Sequence, residues 1–287
     1  MSERRLLKRI VLTGAAGRLG SYLRQPLTGL AEELVSTDIV ADFGDLYAGE
    51  RYVQADLVEF EQMKAVLSGA DMVVHFGAYG DEGSFDQILG PNIIGAYNVW
   101  EAAYQNGVRR VVYASSIHAV GMHSNKSTLG LDASHRPDTY YGLAKCFAED
   151  LARMYWDKRQ LEAVCLRILS CAKVNNTRAL GTWLSYDDLV HLVTQAINTP
   201  TTEFSVIYGV SNNDRSPVDN GGAQYLGYRP KDNAEQFAAE LLSATPAPAV
   251  EDPGQHCVGG PFATVPLGQS GTAGMNIIDE RKQPGAE

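Results

Sequence analysis

Two residues in the segment T-Y-Y-G-L-A-K-C-F-A-E-D can move a proton together: Tyr141 and Lys145. Their i, i+4 spacing puts them on one face of a helix. A free phenol, with a pKa of about 10, is a poor base at neutral pH. A neighbouring ammonium favours the phenolate and makes the pair a usable base. The same spacing is common on helices that do no chemistry, so the pair needs a context. Tyr140, at i, i+5 from Lys145, leaves that face and reads as packing or substrate-side lining. Ser115 and Ser116 end the run V-V-Y-A-S-S-I-H, and a hydroxyl at a strand's C-terminal end points into the ligand crevice of an open α/β sheet. Serines there are also ordinary turn chemistry, so they count only jointly with Tyr141.

The context is V-L-T-G-A-A-G-R-L-G, where Gly14, Gly17 and Gly20 follow an apolar run and open a helical one. One glycine permits a tight turn, one lets the backbone approach a pyrophosphate, and one allows close helix–strand packing. The helix N-terminus then offers free N–H groups and a positive dipole end to the phosphates. Arg18 and Leu19 fall in the same turn. Asp38 ends the second strand candidate, with Ile39 after it. A carboxylate there accepts both ribose hydroxyls of NAD and repels the 2′-phosphate of NADP. No Arg or Lys within Ile39–Asp42 reverses that preference.

The elements that must position these residues alternate. Strand candidates are Arg9–Leu12, Glu33–Thr37, Tyr52–Val53, Met72–Phe76, Arg110–Ala114 and Ala163–Ile168. Helical stretches lie between them at Leu19–Leu27, Phe60–Leu67, Asn92–Asn106 and Tyr141–Lys158. Such βαβα order predicts an α/β fold: a doubly wound, Rossmann-type, mostly parallel sheet over residues 1–169. Residues 170–245 read as a small C-terminal substrate-binding appendage, with a helix over Tyr186–Asn198, a strand near Phe204–Tyr208 and a helix near Ala234–Leu242. Residues 246–287 are rich in Pro, Gly and Ala and read as a tail, either disordered or wrapped on a partner subunit.

The 287 residues carry a formal charge of −10, which argues against nucleic acid or an anionic membrane as partner. No apolar run reaches the roughly 20 residues that span a bilayer. The opening M-S-E-R-R-L-L-K-R-I-V-L-T-G runs into the Gly-rich turn without a cleavage-site pattern and reads as a first strand, not a signal peptide. Cys146, Cys165, Cys171 and Cys257 form no CxxC pair or metal-ligand spacing, which fits free thiols in a reducing, cytoplasmic setting and no bound metal.

Together these residues resemble the extended short-chain dehydrogenase/reductase superfamily, over roughly residues 8–245. The resemblance rests on the spaced glycines, Asp38, Asp56-Leu57, Asn92 in N-I-I-G-A-Y-N, the Ser-Ser strand end and Y-G-L-A-K. It implies that Asp56 and Leu57 lie on the adenine side. Gly77 and Ala78 would then lie beneath the nicotinamide, with Asn92 among the cofactor-binding residues. Counting back from Gly121, it makes Ser116 the catalytic serine beside Tyr141 and Lys145. It also implies a homo-oligomer joined through the helices at 92–106 and 141–158.

Longer runs resemble the uronate dehydrogenases, which oxidise C1 of D-galacturonate or D-glucuronate to an aldarolactone with NAD. They are F-D-Q-I-L-G-P-N-I-I-G-A-Y-N, Y-Y-G-L-A-K-C-F-A-E-D-L-A-R-M-Y, T-W-L-S-Y-D-D-L and L-G-Y-R-P-K-D-N-A-E. By that resemblance His118, Ser170 and Arg178 face the sugar, the last two at its acidic end. This chain departs from the pattern at three places. Ile117 stands for an Asn, Gly80 for a substrate-binding Ser, and Ser216-Pro217 for a Trp-Trp pair. Losing an amide and a hydroxyl should weaken affinity for the groups they served. The reaction therefore carries over more firmly than the substrate. Arg178 still matches an anion, and the space at Gly80 admits a bulkier tetrahedral one, so sulfoquinovose joins the hexuronates as a candidate. Two competing functions share these motifs: nucleotide-sugar epimerases or dehydratases that recycle NAD, and a non-catalytic NAD-binding regulator.

Overall fold

A computed structural model of the chain describes residues 6–244 and 252–273. In chain order the main elements are β1 (Leu7–Thr13), α1 (Arg18–Thr28), β2 (Ala31–Asp38), β3 (Glu50–Gln54), α2 (Phe60–Val66), β4 (Met72–His75), α3 (Phe85–Ile88), α4 (Gly95–Gln105), β5 (Arg110–Tyr113), α5 (Tyr140–Arg159), β6 (Glu162–Ile168), α6 (Ala179–Thr182), α7 (Tyr186–Asn198), β7 (Phe204–Gly209) and α8 (Ala238–Ala244). The strands form one parallel sheet in the order β3-β2-β1-β4-β5-β6-β7. The order reverses between β1 and β4, which opens a crevice at their C-terminal ends.

The strands are near-continuous apolar runs because both faces are covered. Successive side chains alternate between two cores. Ile10, Leu12, Met72 and Val74 enter the core beneath α1 and α7, whereas Val11, Val73 and Val111 enter the one beneath α2, α4 and α5. Buried ion pairs tie the layers. Arg24 on α1 pairs with Glu50 on β3 at 2.7 Å. Arg110 on β5 pairs with Glu162 and also bonds the carbonyls of Ala196 and Thr199 at the end of α7.

Three expectations are revised by the structure. First, the helix expected from Asn92 begins at Phe85, and its segment Leu89–Ile94 is a π-turn. Pro91 has no N–H to give the α-ladder, and the Gly95 N–H reaches the Gly90 carbonyl instead. Second, β7 and α7, assigned by sequence to an appendage beginning at residue 170, extend the main sheet and its covering layer. β7 pairs with β6 from Ala163–Phe204 to Ile168–Gly209. Third, residues 252–273 of the expected tail are laid along their own chain. Asn125 donates to the His256 carbonyl at 3.0 Å, and Val258 and Gly259 donate to His123 and Gly121 at 2.9 Å each. Composition underrates this segment because backbone pairing, rather than an apolar stripe, fastens it. Residues 246–251 and 274–287 of that expectation lie outside the described residues, as do residues 1–5.

Candidate active site

The crevice at the sheet's switch point is a cleft of about 760 Å³. Gly14, Gly17, Arg18, Leu19 and Gly20 line one end of it. Gly14 has φ of +69°, and a Cβ there would lie 2.5 Å from the Gly77 nitrogen. Only glycine satisfies both conditions. A Cβ on Gly20 would collide with the Gly14 carbonyl, so α1 is pressed against the turn. The Asp38 carboxylate accepts hydrogen bonds from the N–H groups of Ala16 (3.0 Å) and Ile39 (2.8 Å), which locks the end of β2 to the glycine turn. These residues fit a dinucleotide: a glycine turn that admits phosphates and an acid placed for a ribose. Arg18 bonds the Cys171 carbonyl and bridges the turn to the far wall.

Other expected cofactor residues act on the frame. Leu57 packs where Cβ atoms on Gly77 and Gly95 would be, so both glycines admit it. Asp56 caps its own turn through the Val58 N–H at 3.0 Å. Gly77 donates to Thr13 at 3.2 Å, and Ala78 lines the cleft beside it. The amide of Asn92 is committed to the backbone of Tyr79, accepting at 2.7 Å and donating at 3.0 Å. It shapes the loop after β4 instead of pointing a free group at a ligand.

Ser116, Tyr141 and Lys145 all line the cleft. Thr139 caps α5 by accepting from the Gly142 N–H, which starts the helix just ahead of Tyr141. Burial raises the Tyr141 phenol to about 12, opposed by a hydrogen bond with Ser116 and by the Arg18 charge. Asp138 and Asp81 raise it further. Burial lowers Lys145 to about 7, and Glu149 opposes that shift. The Lys145 ammonium lies 5.1 Å above the Tyr141 ring and donates to the Ala114 carbonyl at 2.8 Å. Below it, burial and the Lys145 charge hold His75 at about 3, so no second cation forms there.

The sequence left Ser115 and Ser116 alike apart from the family resemblance. In the structure Ser116 faces the Tyr141 phenol and favours its ionised form, while Ser115 donates to Glu149 on the other side of the strand end. Glu149 is buried and also bonds Arg167 and His135 at 2.8 Å each. Burial pushes its carboxyl up, but the bonds from His135 and Arg167 outweigh that and hold it below the usual range.

The other end of the cleft is drawn from distant segments. The His118 ring bonds Asp138 at 2.8 Å, stacks on Phe262 at 4.0 Å and meets Tyr141 edge-on at 5.8 Å. Arg178 donates to Ser170 at 3.0 Å and to the Val258 carbonyl at 2.8 Å. Burial lowers its guanidinium to about 10, opposed by Asp138, so it stays cationic at neutral pH. Among the described residues no carboxylate pairs with it. A Cβ on Gly80 would meet nothing within 4 Å. Ile117 borders the cleft, yet its side chain is 1% exposed and packs with Val120 and Tyr208. It contributes backbone to the cleft, not a side chain. Sequence reasoning missed Asp138, Glu82 and Phe262. The pair Gly259-Gly260 was the available signal, since both sit where a Cβ would strike Asp138 or Arg178.

Known proteins resemble the chain over most of its length. Residues 10–172 match the NAD dependent epimerase/dehydratase family. The uronate dehydrogenase of Pseudomonas putida is 43% identical over 256 residues, covering 89% of this chain and 95% of that protein. The crystal structure of a mutant uronate dehydrogenase from Agrobacterium tumefaciens, complexed with NAD, is 41% identical. It superposes with a TM-score of 0.87 over 91% of this chain and 98% of its own. A glucuronic acid dehydrogenase from Chromohalobacter salexigens superposes with a TM-score of 0.88 at 37% identity, over 91% and 98% of the two chains.

Proposed function

The chain belongs to the NAD dependent epimerase/dehydratase family and uses NAD, and from that premise we propose that it oxidises the hemiacetal carbon C1 of an acidic hexopyranose to a lactone. One observation carries the reading: a single cleft holds Ser116, Tyr141 and Lys145 together with a partly buried, cationic Arg178 that no carboxylate neutralises among the described residues. A guanidinium so placed selects an anion.

The glycine turn and Asp38 would hold the phosphates and ribose of the cofactor, and Asp56 and Leu57 would lie on its adenine side. When bound there, NAD would supply the acceptor for the hydride that leaves C1. Tyr141 takes the C1 hydroxyl proton, and Ser116 donates to the same oxygen as it becomes a carbonyl. Lys145, held by the Ala114 carbonyl with its Nζ 5.1 Å from the Tyr141 ring centroid, places positive charge beside the phenol and so favours the phenolate when protonated. His118 orients the sugar, its ring fixed by Asp138. Ser170 and Arg178 hold the anionic group.

Within this class Gly80 favours a second substrate beside the hexuronates. The open space there accommodates a tetrahedral sulfonate, as in sulfoquinovose, better than a site narrowed by a side chain. The test is NADH production on galacturonate, glucuronate, sulfoquinovose, glucose 6-phosphate and glucose. Acidic sugars should exceed glucose by about 100-fold in kcat/KM, the worth of a charged contact of roughly 3 kcal/mol. Equal turnover of glucose removes Arg178 from its role. Absence of net NADH on all five, with conversion of a nucleotide sugar, favours the epimerase or dehydratase alternative.

Tyr97 and Tyr104 on α4 and Leu143, Phe147 and Met154 on α5 are exposed apolar side chains. We read this face as the contact of a homo-oligomer. Light scattering should give at least twice the chain mass. Among the described residues no helix is long and apolar enough to cross a membrane.

A further inference from the structure

The segment 252–273 crosses the substrate end of the cleft and is fastened on both sides. On one side it pairs with residues 121–125 and accepts the Arg178 hydrogen bond at Val258. On the other it ends on two adjacent carboxylates in the loop after β4. Asp81 takes hydrogen bonds from the Ser270 hydroxyl, the Thr272 hydroxyl (2.6 Å) and the N–H groups of Gly271 (2.9 Å) and Thr272 (3.1 Å). Glu82 is 0% exposed. One of its oxygens accepts from the Gly268 N–H at 2.9 Å, and the other accepts from the Tyr141 N–H at 2.8 Å.

We propose that Glu82 is a positioning residue that couples the C-terminal segment to Tyr141. The Tyr141 N–H lies in the first turn of α5, where no helix carbonyl is available to it. A buried carboxylate is its partner, and the helix dipole strengthens that bond. The same carboxylate has no water to turn to, so its orientation depends on the second donor, Gly268. Seating the segment over the sugar therefore holds Glu82, and Glu82 holds the backbone of the residue that takes the proton. Binding and proton transfer share one carboxylate.

The test is hydrogen–deuterium exchange at the Tyr141 amide in the full-length enzyme loaded with NAD. Gly268 is half-buried with φ of +84°, which proline cannot adopt, so Gly268→Pro removes the N–H to Glu82 and also unseats this part of the segment, at a site that does not touch Tyr141. It should speed exchange at Tyr141 about tenfold, as local opening becomes easier. Glu82→Gln should do the same, since its NH₂ group then faces one of the two donors. The double variant should be no faster than the faster single, because both act through one group. On the sugar that the parent oxidises, kcat should fall about tenfold in each single variant while KM stays within about twofold. Unchanged exchange at Tyr141 in Gly268→Pro, or additive effects in the double variant, overturns the coupling. The inference rests on Tyr141 as the base, but the exchange readout needs no sugar. If no sugar in the panel is oxidised and the exchange pattern holds, the substrate reading fails while the coupling stands.

Discussion

The two ends of the cleft are built differently. The cofactor end is local: β1, the glycine turn, α1 and β2 supply it within residues 7–38, and its key bond joins Asp38 to Ala16. The substrate end is assembled across the chain. His118 leans on Asp138 and Phe262, Arg178 on Val258, and Glu82 on Gly268. A local site is set by backbone geometry and tolerates almost no change. A site made from distant segments can alter one contact at a time, so specificity can drift while the cofactor end stays fixed.

Tyr141 lies where the two ends meet and should show the largest effect. Tyr141→Phe removes the proton acceptor and should lower kcat by about 10³-fold, within the range for general-base loss. The NAD dissociation constant should move less than about twofold by fluorescence titration, as the ring's packing is kept. Retained turnover would place the base elsewhere.

Gly14→Ala tests the rigid end. The added methyl meets Gly77 backbone at 2.5 Å on a residue with φ of +69°. Strain and overpacking together should cost about 3 kcal/mol. Thermal melts without NAD should show a loss of roughly 6–12 °C, at about 2–4 °C per kcal/mol for a chain of this size. A variant as stable as the parent would mean that the turn relaxes easily and that the contrast between the ends is overstated.

This contrast also explains what could be read from the sequence. The strands, their parallel order and the glycine turn follow from apolar runs of the right length and from motifs confined to a few residues. The sequence pattern also showed Tyr141 and Lys145 on one helix face, because i, i+4 spacing is a local fact. Asp138 and Glu82 were hidden, since an acid in a loop gains meaning only from its neighbour in space. The segment 252–273 was hidden because it is held by backbone N–H groups and by glycines that make room for Asp138 and Arg178, features that composition counts as disorder. The π-turn at Leu89–Ile94 was marked by Pro91, yet the helical pattern on either side masked it.

A smaller effect should separate the roles of the two strand-end serines. Burial raises the Tyr141 phenol to about 12 and the Ser116 hydrogen bond opposes this. That bond favours the phenolate, so its loss leaves less base at any given pH. Ser116→Ala should therefore move the rising limb of kcat/KM to higher pH, by about one unit for a charge-assisted hydrogen bond. Asp81 raises the same phenol, so Asp81→Asn should move the limb the other way. An unmoved limb in Ser116→Ala would mean that the serine does not bear on the ionisation of Tyr141.

The smallest expected effect is at the glycine opposite in character to Gly14. A Cβ at Gly80 meets nothing within 4 Å, and its φ is not in the left-handed region. Gly80→Ser should change stability by less than about 0.5 kcal/mol, as for a surface position. Its consequence should appear in substrate choice. A hydroxyl there restores a hydrogen-bonding group and takes up room. The ratio of kcat/KM for glucuronate over sulfoquinovose should rise roughly fivefold, the worth of about one ordinary hydrogen bond. NAD affinity should not move. A large loss of stability would show that the substrate end is packed as tightly as the cofactor end. An unchanged ratio would show that the space at Gly80 is not where the anion is told apart, and would leave that choice to Ser170 and Arg178.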